Sequence, residues 1–125
     1  MTILNGTFQV TSWDEKTLSS SDDGSKLAQA TVTQTYQGEI EGDSEVHYFL
    51  SYFPSGSAEF VGYETITPSD NKLAPILLRH TGEFINGVAS SQFELLSSEN
   101  EQAMAGIGRF KSGDSGCAEY HIELK

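Results

Sequence analysis

The sequence predicts an all-β protein: a closed, eight-stranded antiparallel barrel with little helix. Three observations lead there. Short stretches alternate apolar and polar residues with a period of two along most of the chain. Turn signals rich in Gly, Asn, Asp, Ser and Pro separate these stretches. Three of the strands set one polar side chain among inward-looking apolar ones: Gln34 beside Val32 and Tyr36, Glu64 between Phe60 and Ile66, and His80 with Ile76, Leu78 and Phe84. A sandwich built from the same strands would have a dry core and ligands only on its loops. A barrel has no edges, and with eight strands its interior holds side chains or one small ligand.

Each strand is read from its alternation. "TFQVTSW" (7–13) sets Phe8 and Val10 on one face. "AQATVTQTY" (28–36) sets Ala28, Ala30, Val32, Gln34 and Tyr36 on one face and threonines on the other, the pattern of a half-buried strand. "SSSDDGS" (19–25) before it is a charged turn. "SEVHYFLSYF" (44–53) aligns Val46, Tyr48, Leu50 and Tyr52; "PSG" (54–56) turns the chain, and "SAEFVGYETITP" (57–68) follows. "PILLRHTGEF" (75–84) and "VASSQFELL" (88–96) flank Asn86-Gly87, a pair suited to left-handed backbone in a tight hairpin. "AGIGRF" (105–110) and "CAEYHIEL" (117–124) close the chain around the turn "KSGDSG". The best helical candidate is "SSENEQAMAG" (97–106): Ser98 caps, Glu101 sits three residues on, and Gly106 ends it. "GEIEGDSEVHYFL" (38–50) and "GEFINGVASSQFELL" (82–96) echo each other as two similar hairpins.

Composition narrows the function classes. A length of 125 residues suits one domain, 1–125, with a real core. Eighteen acidic against seven basic residues give a net charge of −11, which repels phosphate backbones, so neither nucleic acid nor an anionic membrane is an expected partner. No apolar stretch approaches the ~18 residues that cross a bilayer. The segment "MTILNGTF" lacks the basic and apolar regions of a signal peptide. The single cysteine, Cys117, permits no internal disulfide and fits a reducing, cytoplasmic location. Apolar or aromatic residues on outward positions, Phe49, Val61 and Tyr63, point to a homodimer through a barrel face.

The segments "GTFQVTSWDE" (6–15), "ATVTQTYQGEIEGDSEVHYFLSY" (30–52), "FVGYETITP" (60–68), "HTGEFINGVA" (80–89) and "AGIGRF" (105–110) together resemble a bacterial family known as domain of unknown function 3224, DUF3224. They run in order from the first strand to the last. The chain is shorter than the family around "AGIGRF", where a longer glycine-rich run is common. The resemblance implies an eight-stranded barrel similar to plant allene oxide cyclase, an enzyme that cyclises an unstable fatty-acid epoxide inside its barrel. It supplies no established catalytic residues.

The candidate site is the barrel interior. An ionised carboxylate at Glu64 would cost several kcal/mol unless paired. His80, on the adjacent strand of a simple meander, is its expected partner, and an imidazole beside a carboxylate suits general acid–base work. The structural alternative is a hydrogen bond that fixes the barrel. Trp13, Tyr36, Tyr48 and Tyr120 are expected to line a cavity, each with an apolar body and a polar tip, together with Gln34 and Phe60. His47 and His121 sit among outward residues, so no metal site is read from the histidines. Cys117 has no base beside it and is read as packing. "GIGRF" lacks the Lys-Ser/Thr of a phosphate loop, and no cofactor is called for. Two functions fit: a small-molecule carrier holding an apolar or amphipathic ligand near Glu64 and His80, or a cofactor-independent isomerase or cyclase using that pair as acid and base. A third reading is an interaction module with a filled barrel.

Overall fold

The computed structural model describes residues 2–70, 75–96, 106–112 and 116–124. Eight strands form a closed antiparallel barrel in which each pairs with the next and the last returns to the first: β1 (Thr2–Ser20), β2 (Lys26–Gly38), β3 (Gly42–Tyr52), β4 (Ala58–Pro68), β5 (Ile76–Ile85), β6 (Val88–Leu95), β7 (Gly106–Ser112) and β8 (Cys117–Leu124). The predicted strands are all present. The proposed helix falls largely on 97–105, outside the described residues, while Gly106, its expected terminator, opens β7 instead.

Alternation does the sorting. Along β4, Ala58, Phe60, Gly62, Glu64, Ile66 and Pro68 are buried and every residue between them is exposed. β3 follows the same rule, and along β2 buried residues alternate with the half-buried Gln29, Thr31, Thr33 and Thr35, so one face of each strand builds the core. At the β5–β6 hairpin Asn86 has φ 54° and Gly87 φ 79°, the left-handed pair that matches strand twist. Phe84, expected to point inward, is 37% exposed because it lies at the strand end, on the rim of the barrel.

β1 is the main correction. It is far longer than the predicted 7–13, because its two ends have different partners. Thr2–Gln9 pair with β8, while Gly6–Ser20 pair with β2. Above Gln9 the β1–β2 hairpin therefore stands clear of β8 and rises beside one mouth of the barrel. The pairing jumps from Val10↔Gln34 to Ser12↔Thr33, leaving Thr11 as an extra residue. Thr11 and Ser12 hydroxyls both reach the Thr33 hydroxyl, at 2.8 and 2.6 Å, two residues opposing one. This bulge reverses the parity of the strand. Phe8 and Val10 share a face below it; Trp13 and Glu15, opposite inward Val32 and Ala30, share that face above it.

A rank of neighbours followed around the barrel runs Glu15, Ala30, Tyr48, Gly62, His80, Phe93, Gly108 and Ile122, and returns to β1 at Leu4. Leaving at Glu15 and returning at Leu4 means a strong stagger, hence strongly tilted strands. Within that rank Gly62 separates Tyr48 from His80. A Cβ at Gly62 would run into the His47 carbonyl oxygen and the Tyr48 ring, so only glycine lets the two aromatic rings meet, 5.8 Å apart and edge to face.

Candidate functional site

The middle of the barrel holds a chain of buried polar groups contributed by four strands. Glu64 of β4 and His80 of β5 are each 1% exposed. They are not directly opposed: Glu64 faces Leu78 and His80 faces Gly62, so they meet on the diagonal. His80 Nε2 lies 2.6 Å from Glu64 Oε1. The Tyr36 hydroxyl of β2 donates to Glu64 Oε2 at 2.5 Å. On the far side of the imidazole, His80 Nδ1 is 2.9 Å from Ser91 Oγ of β6, and Ser91 Oγ reaches the Gln92 and Thr81 carbonyls at 3.2 and 3.4 Å. Rings of Tyr48, Phe93 and Phe110 surround the imidazole with centroids 5.0–5.8 Å away.

The chain closes on itself. With the Ser91 hydroxyl donating to a carbonyl, His80 Nδ1–H donates to Ser91, and one further proton is shared between His80 Nε2 and Glu64. The pair then carries no net charge, which is the form a low-dielectric interior favours. Burial, and secondly the Glu64 carboxylate, push the Tyr36 phenol well above its ordinary range, so it remains a donor. The same two causes raise Tyr48. Among the described residues no buried side-chain nitrogen or oxygen lacks a partner.

Below this layer the barrel is shut. The β2–β3 turn tucks Ile40 into the lower end, 6% exposed. The Ile40 N–H donates to the Tyr120 hydroxyl at 2.9 Å, and that hydroxyl lies 3.3 Å from the Gln37 carbonyl. Tyr120 is thus a plug that ties β8 to the turn. Its phenol is raised, chiefly by burial.

Above the layer the described residues leave the barrel open. A cavity of about 530 Å³ occupies the upper mouth, floored by Phe8, Tyr48, Leu50, Phe60 and Phe110 and walled by Val10, Trp13, Phe84 and Ala89. Gln34, 4% exposed and 3.3 Å from the Ser44 hydroxyl, is a buried polar group in its wall. At the rim stand Glu15 and Tyr52. Trp13 Nε1 and the Tyr52 hydroxyl both donate to Glu15 Oε1, at 3.1 and 2.9 Å. Burial and then this bond to Glu15 push the Tyr52 phenol up to about 12.

The eight candidate residues therefore divide into two sets. Trp13, Gln34, Phe60 and Tyr48 line the cavity. Tyr36, Glu64, His80 and Tyr120 do not; they lie beneath the Tyr48, Phe60 and Phe110 floor. Glu64 and His80 meet as the sequence predicts, but away from the space a ligand would fill. His47 and His121 sit on the outside, beside Glu45 and Glu123 at 3.5 Å each. Glu15 and Tyr52 at the rim are not among the site residues that the sequence points to. Tyr52 was legible as an inward residue of its strand, whereas the bulge at Thr11 hides the inward direction of Glu15 from any parity count.

Residues 4–124 match the sequence profile of DUF3224, described as a protein of unknown function. In structure the chain is similar to a crystal structure of a protein with unknown function from the DUF3224 family of Shewanella oneidensis MR-1. The two are 20% identical with a TM-score of 0.73, over 100% of this chain and 97% of that one, a likeness of fold alone. No curated protein matches the sequence.

Proposed function

We propose that this chain, which belongs to the DUF3224 family of proteins of unknown function, binds one small apolar or amphipathic molecule in the upper mouth of its barrel. The observation that carries this reading is the cavity of about 530 Å³, open at one end, walled by aromatic and aliphatic side chains and holding few polar groups. That size and lining are those of small-molecule sites in general. The layer of Tyr36, Glu64, His80 and Ser91 serves as its base: a satisfied polar core that holds four strands in register and keeps the floor rings upright. A cyclase or isomerase of the allene oxide cyclase kind, with Glu64 and His80 as acid and base, would need those groups in touch with substrate, and the floor separates them from the cavity. Binding is therefore the better reading. A cytoplasmic location and a homodimer through the outward Phe49–Val61 pair of β3 and β4, each about half exposed, belong to the same proposal.

The test uses the neutral apolar fluorophore N-phenyl-1-naphthylamine. Its emission should rise on addition of the protein and saturate at one site. Ala89→Phe, which sets a ring into the cavity from the wall, should keep the melting temperature within a few degrees and weaken dye binding by about tenfold or more. No rise with the parent protein, or equal binding by the variant, overturns the reading.

A further inference from the structure

The rim of the cavity already holds a cation. Lys26, the first residue of β2, places its ammonium 3.8 Å from Glu15 Oε2 and 4.6 Å from the centre of the Tyr52 ring. The carboxylate and the aromatic face converge on one position, and the Glu15 side chain is only 21% exposed. Trp13 and the Tyr52 hydroxyl donate to the other carboxylate oxygen, Oε1, which fixes the group and leaves Oε2 turned to the ammonium. Trp13, Glu15 and Tyr52 all belong to the cavity wall, whereas Lys26 does not. The rim thus has the makings of an ammonium site, a carboxylate beside an electron-rich ring, filled at present by a flexible side chain of the protein itself.

We infer that the ligand of this cavity is an amphiphile with a cationic, ammonium-type head, its apolar body in the barrel mouth and its head at Glu15 and Tyr52 in the place of Lys26. The inference rests on the binding role proposed above and adds the head group. A fatty carboxylate is the competing choice, since Lys26 would offer it a partner. Three facts disfavour it. Lys26 is already neutralised by Glu15, an anionic head would lie against that carboxylate, and the net charge of −11 repels anions from the whole surface while drawing cations to it. Displacing Lys26 carries little penalty, because a half-exposed lysine is readily rehydrated.

Trp13 is the only tryptophan of the chain and lies in the cavity wall, so its emission reports on the site directly. Three twelve-carbon probes, dodecyltrimethylammonium, dodecanol and dodecanoate, are titrated at pH 7 below their micelle concentrations, by Trp13 fluorescence and by calorimetry. The ammonium probe should bind about tenfold more tightly than dodecanol, and dodecanoate most weakly, the size expected for one partly desolvated charge pair with a cation–π contact. Glu15→Gln should collapse that preference. Glu59→Gln, which removes the same charge from the outer face, should not, and this separates the site from general attraction to an acidic protein. Lys26→Met should strengthen ammonium binding by removing the internal competitor. Dodecanoate binding as well as or better than the ammonium probe overturns the inference, as does a preference that survives Glu15→Gln. Equal binding of all three probes overturns the head-group assignment and leaves the cavity reading standing. Absence of binding by all three removes both.

Discussion

Glu64→Leu is expected to lower the unfolding free energy by about 3–5 kcal/mol, the range for breaking a buried charged pair from one side. The side chain is 1% exposed and answers two donors, Tyr36 at 2.5 Å and His80 Nε2 at 2.6 Å. Leucine satisfies neither, and each orphaned group costs about 1–3 kcal/mol. Glu64→Gln should cost far less, about 1 kcal/mol or below, because a complete set of bonds can be redrawn. The amide oxygen accepts from Tyr36, the amide nitrogen donates to His80 Nε2, and His80 Nδ1–H still donates to Ser91. Replacing the three groups together, Tyr36→Phe with Glu64→Leu and His80→Phe, should recover much of the loss, since apolar replacement of a whole buried network is often neutral. Urea unfolding of the four proteins gives the comparison. A Glu64→Leu protein as stable as the parent would mean that the polar layer does not brace the barrel.

Above pH 10 the protein should lose stability steeply. Tyr36 and Tyr48 are both 4% exposed, and burial together with the nearby Glu64 carboxylate holds their phenols well above the ordinary value of 10. In the unfolded chain both ionise near pH 10; in the barrel both keep their protons. The folded state then binds more protons than the unfolded one, so stability falls as pH rises through this window. Each such phenol removes about 1.4 kcal/mol per pH unit for as long as it is ionised in the unfolded chain and protonated in the barrel. Tyr52, raised to about 12, adds to the loss, but it is partly exposed and solvent screening makes its share smaller. Tyr48→Phe should remove one proton from the slope. Unfolding free energies measured from pH 8 to 12 decide the matter, alongside tyrosinate absorbance. All five tyrosines ionising near pH 10 with the fold intact would refute it.

The sequence by itself determined the barrel. A strand shows every second residue to the core, so "AEFVGYETI" writes its burial pattern directly into its letters, and Glu64 among buried neighbours was legible without any partner in view. The hairpin at Asn86-Gly87 was legible for the same local reason: few other pairs accept two left-handed residues in succession. That Glu64 and His80 would meet followed from neighbouring strands and the energy of an unpaired charge. The tertiary structure alone decided where that pair stands relative to open space. Depth along a barrel depends on register and stagger, which are set jointly by eight strands and the bulge at Thr11 and cannot be read from any one of them. Only the closed structure places Tyr48 and Phe60 as a floor over His80, and only it turns Trp13 and Glu15 inward. The bulge adds one residue and shifts parity by one, so the side chains of β1 from Ser12 to Thr17 face the opposite way from the count begun at Phe8, until a second shift at Leu18 restores it. The cavity owes its rim to that single residue, because an extra residue in a strand changes direction at a distance while leaving the local alternation on either side intact.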